Sequence, residues 1–201
     1  MTRRAHPVAA RRADPMSRCV PWSKSWRAQS PELPGCSRNA LAPSFPGMEI
    51  ANTFADEWGD EQEHEGFRIR AAGIGNRIGA DLLAGSAYEI DPGKKLWPYH
   101  LHHANEEWIV VLRGRPTLRT PEGERELVEG DVACFLRGAT GAHQVRNATE
   151  EPVRILMLST LIVPEILEYP DSGKLDTVSA KGERILLTRH AEPAKYWDGE
   201  S

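Results

Sequence analysis

The stretch PYHLHHANEEWIVVLRG, residues 98–114, places three histidines and two glutamates directly before an apolar run. In an extended strand, side chains two positions apart point to the same face. His100 and His102 therefore share one face, whereas Leu101 and His103 point to the other. Glu107 opens the next run on the same face as its alternate apolar residues. Two neighbouring strands can thus direct two imidazoles and one carboxylate towards a single point.

A further histidine follows a glycine-containing turn later in the chain. The turn RGATGA, residues 137–142, leads directly into the short run HQVRN, residues 143–147. His143 begins this run and can provide a fourth ligand from across a barrel. If the strand is regular, Gln144 and Arg146 lie on the opposite face, which argues against a role for them in binding an ion.

The chain from Met48 onward consists of short apolar or alternating runs, separated every eight to twelve residues by Gly, Pro, Asp or Asn. This spacing is typical of an all-β sandwich or barrel. No segment has a helical period, and a late segment, 163–200, is expected to return over the barrel. The predicted strands are 67–72, 81–90, 96–103, 107–114, 115–120, 124–128, 131–136, 143–147 and 152–160.

Composition and charge narrow the class of protein. A length of 201 residues favours one domain. Residues 1–47 hold eight basic and two acidic residues, a net charge of +6, and the remainder holds 17 basic and 27 acidic residues, a net charge of −10. An acidic main domain repels phosphate backbones, so nucleic-acid binding is not expected. No apolar run approaches the roughly 18 residues of a membrane span.

Residues 1–47 are predicted to be a disordered, Arg/Pro-rich extension, because seven of the fifteen prolines fall there and no hydrophobic period is present. We expect translation to start at Met48, which accounts for the change in composition at that residue. An organelle transit peptide is the alternative explanation. The second unit, residues 48–201, is predicted to hold the barrel, with its core motifs at 79–160.

The cysteines indicate the redox environment. Cys19, Cys36 and Cys134 are too few and too scattered for a disulfide framework, so a reducing, cytoplasmic location is expected. Cys134 lies in the apolar run VACFL and is predicted to be a small buried hydrophobic residue.

The run HLHHANEEWIVVLRG resembles the first signature of the cupin superfamily: His, any residue, His, three or four residues, Glu, six residues, Gly. His100, His102, Glu107 and Gly114 occupy these positions. GDVACFLRGATGAHQVRN resembles the second signature, with His143 as its histidine. It departs from that pattern because Leu136 replaces the usual proline and the loop before His143 is two residues longer.

The resemblance implies an all-β, jelly-roll-like double-stranded β-helix barrel that holds a divalent metal through His100, His102, Glu107 and His143. Such ligands suit Fe, Mn, Ni, Cu or Zn rather than Ca or Mg. Three neutral imidazoles and one carboxylate leave a divalent ion with a net charge of +1, which attracts an anionic or enolisable substrate. Metal release is expected as the pH falls through about 6.5. The resemblance also implies a homodimer.

Three functions fit this pattern. The first is a metal-dependent enzyme, of oxygenase, isomerase or decarboxylase type, that acts on a small molecule. The second is a non-catalytic module that binds or senses a small molecule or metal, and the third is a vestigial scaffold without metal. The sequence identifies no general acid or base.

Other titratable and aromatic residues are assigned ordinary structural roles. His103 and Glu106 are expected at the rim, and YPDSGK, residues 169–174, is expected to be a plain turn rather than a phosphate-binding loop. His6, His64 and His190 are expected at the surface. The aromatic residues Trp97, Tyr99 and Trp108 are expected in the core or at an interface.

Overall fold

The computed structural model describes residues 47–189, and the regular secondary structure of this part of the chain is almost entirely β-strand. All nine predicted runs contain a strand, so the all-β prediction is confirmed. The predicted disordered extension lies outside the described residues except for Gly47. In chain order the elements are β1 Asp60–His64, β2 Phe67–Gly73, α1 Ile74–Arg77, β3 Leu83–Ile90, β4 Leu101–His102, β5 Glu107–Arg113, β6 Thr117–Thr120, β7 Gly123–Glu126, β8 Val132–Phe135, β9 Gln144–Arg146, β10 Val153–Thr160, β11 Glu165–Tyr169, β12 Lys174–Val178 and β13 Arg184–Arg189.

The strands form two layers around one core. The first layer is a six-stranded antiparallel sheet in the order β1-β2-β3-β10-β5-β8. The second contains two smaller sheets, β7-β6-β9 and β13-β12-β11-β4. Isolated bridges join Lys95 to Arg146 and His100 to His143, and they link these two sheets. This is the predicted double-stranded β-helix barrel.

Alternation along the strands sets which side chains enter the barrel. In β10, Val153, Ile155 and Met157 are buried in the main core cluster together with Ile109 and Val111 of β5. Residues from the second layer, Leu96, Leu118, Leu127 and Val145, join the same cluster. Each such side chain contributes roughly 1.5–3 kcal/mol on burial. This apolar packing fixes the strands that carry the histidines and Glu107.

A buried ion-pair network lies on the outer face of the six-stranded sheet. Arg154 is 2% exposed, and its Nη2 lies 2.7 Å from Glu89 Oε2 and 2.6 Å from Asp56 Oδ1. Its guanidinium lies 4.8 Å from the centre of the Trp58 ring. The segment that precedes β1 is thus attached to the outside of the sheet, away from the barrel interior.

Several expectations are corrected by the fold. Cys134 is exposed rather than buried, because the outer face of the edge strand β8 is uncovered. Within the predicted strand 96–103 only Leu101–His102 is regular, and single bridges at Lys95 and His100 continue it. The sequence analysis missed β1 and the one-turn helix α1. No helix within residues 47–189 is both long and apolar enough to span a bilayer.

The C-terminal segment returns to the barrel, as expected. Strand β11 pairs with β4, and Leu167 lies opposite His102. Residues 170–173 form the turn of the β11–β12 hairpin, so the expected turn at YPDSGK is present. This sheet places C-terminal side chains next to the histidine-bearing strand.

Candidate metal centre

The two layers bring the predicted ligands together from opposite sides of the barrel. His100 and His143 are directly opposed on adjacent strands, with reciprocal backbone hydrogen bonds of 3.1 and 2.8 Å between their N–H and C=O groups. His102 follows two positions after His100 on the same face. Glu107 comes from β5 in the six-stranded sheet. All four side chains are buried, with 1–7% of their surface exposed.

Three of the four predicted ligands form one group of mutually close donor atoms, and His143 adjoins this group through Glu107. His100, His102 and Glu107 each offer a donor atom within 4.8 Å of the other two. His143 Nε2 lies 3.0 Å from Glu107 Oε2, and His102 Nε2 lies 3.6 Å from the same oxygen. Two atoms each about 2.1 Å from one ion are separated by roughly 3.0 Å at an octahedral right angle and roughly 3.4 Å at a tetrahedral angle.

The second ring nitrogen of two histidines faces a backbone carbonyl. His100 Nδ1 lies 2.8 Å from the oxygen of Pro98, and His143 Nδ1 lies 2.9 Å from the oxygen of Gly141. A carbonyl only accepts hydrogen bonds, so each Nδ1 carries the proton and donates it. In the neutral ring the lone pair is then on Nε2, which is the tautomer needed for coordination through that atom.

Burial and neighbouring charges shift the pKa values of the cluster residues in different directions. Burial, reinforced by the neighbouring imidazoles, lowers the pKa of His100 to about 3, so this ring is neutral. Burial also acts to lower the pKa of His102, but Glu107 and Glu165 outweigh it and raise the pKa to about 9. Burial acts to raise the pKa of Glu107, but the adjacent imidazoles of His102 and His143 hold it well below its usual range.

The cluster includes buried polar atoms whose hydrogen-bonding capacity is not used. Within residues 47–189, His143 Nε2 and Glu107 Oε2 are buried without a hydrogen bond of normal geometry. Buried polar groups are normally satisfied, and a buried carboxylate normally has a cationic partner. In the described chain, the recorded ion pairs of Glu107 are with imidazoles alone. The residues present therefore fit a divalent cation.

The unusual loop before His143 is shaped around Gly141. Residues Ala139–Gly141 form a single 3-10 turn that begins after Gly138, whose φ is 83°. A Cβ at Gly141 would lie 1.7 Å from the carbonyl oxygen of Leu136, so no other residue fits there without moving the loop. Because the Gly141 carbonyl also accepts the His143 Nδ1 proton, this glycine helps set the orientation of the ligand ring.

Two contacts of the cluster were missed by the sequence analysis. The Phe135 ring stacks on the His143 ring with centroids 3.7 Å apart and planes 7° from parallel. Glu165 places Oε2 3.6 Å from His102 Nδ1 and is itself buried. Phe135 belongs to an ordinary apolar run and Glu165 lies 63 positions beyond His102, so neither residue had a local signal.

Most of the remaining assignments are confirmed by the structure. His103 is exposed and pairs with Glu168 at 2.7 Å, and His64 is exposed. Gln144 is buried, but its amide donates to the Trp97 oxygen rather than joining the cluster. Trp97 and Tyr99 are wholly or partly buried, whereas Trp108 is 45% exposed and donates to Glu106. His6 and His190 lie outside the described residues.

Comparison with known proteins agrees with this architecture. Residues 86–159 match the family model of the cupin domain. The fold and this match, which covers the strands of the barrel, support a small cupin-type protein. No curated protein matches its sequence.

Two solved structures are similar over most of their lengths. One is described as a putative sugar phosphate isomerase from Acidithiobacillus ferrooxidans, with 26% identity and a TM-score of 0.63 over 70% of this chain and 90% of that chain. The other is described as a sugar phosphate isomerase from a cupin superfamily, from Silicibacter pomeroyi. It has 26% identity and a TM-score of 0.58 over 66% of this chain and 82% of that chain.

Proposed function

We propose that the protein is a divalent-metal-dependent enzyme of isomerase type, acting on a small phosphorylated sugar. His100, His102, Glu107 and His143 are the proposed ligands of the metal. The observation that carries the proposal is the buried Glu107 carboxylate, whose Oε2 lies 3.0 Å from His143 Nε2 and 3.6 Å from His102 Nε2. Imidazole with one carboxylate suits Fe, Mn, Ni or Zn.

The donor geometry favours a metal over a purely structural ion pair. A separation of 3.6 Å is too long for a hydrogen bond but fits two ligands of one ion. The two histidines that donate Nδ1 to carbonyls leave Nε2 as a lone pair. Such a lone pair binds a cation without first losing a proton. A vestigial scaffold has no need for these fixed tautomers.

Isomerisation of a sugar phosphate is favoured over the other reaction types by the two similar structures, both described as sugar phosphate isomerases. A bound divalent cation supplies a Lewis acid that polarises a carbonyl or hydroxyl oxygen of the substrate. The described residues contribute by excluding water from the buried cluster and by holding each imidazole in one orientation. We assign no general base.

A cation near the cluster supports an anionic substrate. Tyr169 lies opposite Lys174 in the β11–β12 hairpin, and the Lys174 Nζ lies 4.9 Å from the centre of the Tyr169 ring. The Tyr169 ring stacks near His100, with centroids 6.1 Å apart. Lys174 is thus a candidate partner for a phosphate group. Glu165 cancels the net charge of +1 expected for the loaded cluster, so Lys174 would supply the positive charge for an anionic substrate.

The first experiment is elemental analysis of untagged protein, followed by Co(II) titration of metal-free protein. The expected result is one metal per chain and loss of binding in Glu107→Gln and His100→Ala. Glu168→Gln, which changes an exposed carboxylate of the adjoining sheet, is the matched control. Wild-type protein without measurable affinity for Co(II), Mn(II), Fe(II), Ni(II) or Zn(II) rules the proposal out.

The second experiment tests the substrate class. Metal-loaded protein is assayed against paired aldose phosphates, ketose phosphates and their unphosphorylated sugars. We expect Lys174→Met to raise KM for a phosphorylated sugar about tenfold or more with little change in kcat. Lys181→Met, in an exposed turn, is the control. Metal binding without turnover of any phosphorylated sugar would instead favour the non-catalytic binding module.

A further inference from the structure

Glu165 lies behind the proposed metal ligand His102, on a strand far away in sequence. It opens β11, and the pairing of β11 with β4 sets Leu167 opposite His102. The Glu165 side chain is buried, and its Oε2 lies 3.6 Å from His102 Nδ1. On the other side of the ring, His102 Nε2 lies 3.6 Å from Glu107 Oε2. The His102 imidazole therefore lies between two carboxylates.

The Glu165 carboxylate is held in place by donors on both oxygens. Oε1 accepts the backbone N–H groups of His103, Ala104 and Ile166, at 3.1, 3.0 and 2.8 Å. Oε2 accepts from the Asn105 side-chain amide. Four donors thus hold the carboxylate in one position.

His102 differs from the other two histidines in this respect. His100 and His143 direct Nδ1 at neutral backbone carbonyls, whereas His102 directs Nδ1 at a carboxylate. A carboxylate behind a ligating imidazole fixes the tautomer and the ring orientation, and it strengthens the opposite nitrogen as a donor. Removing such a group typically lowers metal affinity 10- to 100-fold.

We propose that Glu165 is a positioning residue of the metal centre, whose negative charge, 3.6 Å from Nδ1, favours the ring proton on that nitrogen and directs Nε2 of His102 at the ion. This inference rests on the proposed metal-binding function. It makes the C-terminal sheet a part of the site, although both recognisable sequence signatures end before residue 148. A chain with the four ligands but without β11 would bind metal more weakly.

The substitution Glu165→Gln tests this role for a specific chemical reason. Both Glu165 oxygens accept hydrogen bonds. In the glutamine variant the side-chain NH₂ must replace one of these oxygens, so it meets N–H donors in either orientation. If the amide NH₂ faces His102, it favours a lone pair on Nδ1 and moves the ring proton to Nε2. The expected result is a 10- to 100-fold weaker Co(II) affinity and an altered Co(II) absorption spectrum.

The matched control is Glu168→Gln, on the same strand. Glu168 pairs with His103 at 2.7 Å, but both side chains are exposed and point away from the cluster. This variant is expected to bind Co(II) within about twofold of wild type. Circular dichroism checks that each variant is folded. If wild-type protein binds Co(II) and folded Glu165→Gln binds it equally well, the positioning role is wrong, while the metal site stands.

A measurement on unaltered protein covers the case in which Glu165→Gln does not fold. Nitrogen NMR of zinc-loaded wild type reports which nitrogen of each histidine carries a proton. We expect His102 to show a protonated Nδ1 and a metal-bound Nε2. A metal-bound Nδ1 in His102 overturns the inference. Failure of wild type to bind zinc is distinguishable, because it overturns the proposed function instead.

Discussion

The stacking of Phe135 on His143 predicts that one core residue controls both stability and metal binding. Phe135 is 5% exposed, and its ring centroid lies 3.7 Å from that of His143. Phe135→Ala removes a buried aromatic ring and is expected to cost about 3–5 kcal/mol. For a domain of this size that corresponds to a melting temperature lower by roughly 10 °C. The His143 ring also loses the surface that fixes its plane.

The assay is thermal unfolding of metal-free protein, repeated with saturating Co(II). A ligand at 100 times its Kd stabilises the folded state by about 2.7 kcal/mol, so wild type gains several degrees. Phe135→Ala should lose most of that gain. Phe67→Ala, a half-buried aromatic residue on β2, should keep it. The reasoning is refuted if Phe135→Ala has the same melting temperature as wild type, or if Co(II) raises the melting temperatures of Phe135→Ala and wild type equally.

Further predictions concern pH, reactivity, stability and assembly. Since His102 has a raised pKa of about 9, metal must displace its proton at neutral pH. Co(II) affinity should therefore rise about tenfold from pH 7 to pH 8, and a flat profile contradicts this. Cys134 is exposed, but partial desolvation of its sulfur and the nearby Glu106 charge raise the pKa of its thiol. Alkylation by iodoacetamide should therefore be slow at pH 7 and faster above pH 9. Glu89→Ala leaves three arginines without this carboxylate partner, so the free energy of unfolding measured in urea should fall by about 3–5 kcal/mol. A loss of less than about 1 kcal/mol would contradict a stabilising role of the network. Light scattering should give about twice the 22.4 kDa chain mass. Val132→Asp, on the exposed face of β8, should shift that mass to the monomer, and an unchanged dimer would place the contact elsewhere.

Sequence pattern was sufficient for nine of the thirteen strands within residues 47–189, because each of these nine carries its own local signal. Alternation and turn residues depend on neighbours only a few positions apart, so all nine predicted runs contain a strand. The same two-residue period placed His100 and His102 on one face and His103 on the other. The failure at Cys134 has the opposite origin. An apolar run predicts a strand, but only the position of β8 at a sheet edge exposes its outer face.

The sequence by itself therefore determined the all-β fold and the four residues proposed to hold a metal, since both follow from patterns among residues only a few positions apart. Only the tertiary structure decided which groups stand behind those residues. Phe135 reaches His143 across the barrel, and Glu165 reaches His102 because β11 pairs with β4. These contacts join different strands: Glu165 lies 63 residues beyond His102, and Phe135 lies eight residues before His143. They are set by packing and strand pairing, which leave no periodic trace in the chain.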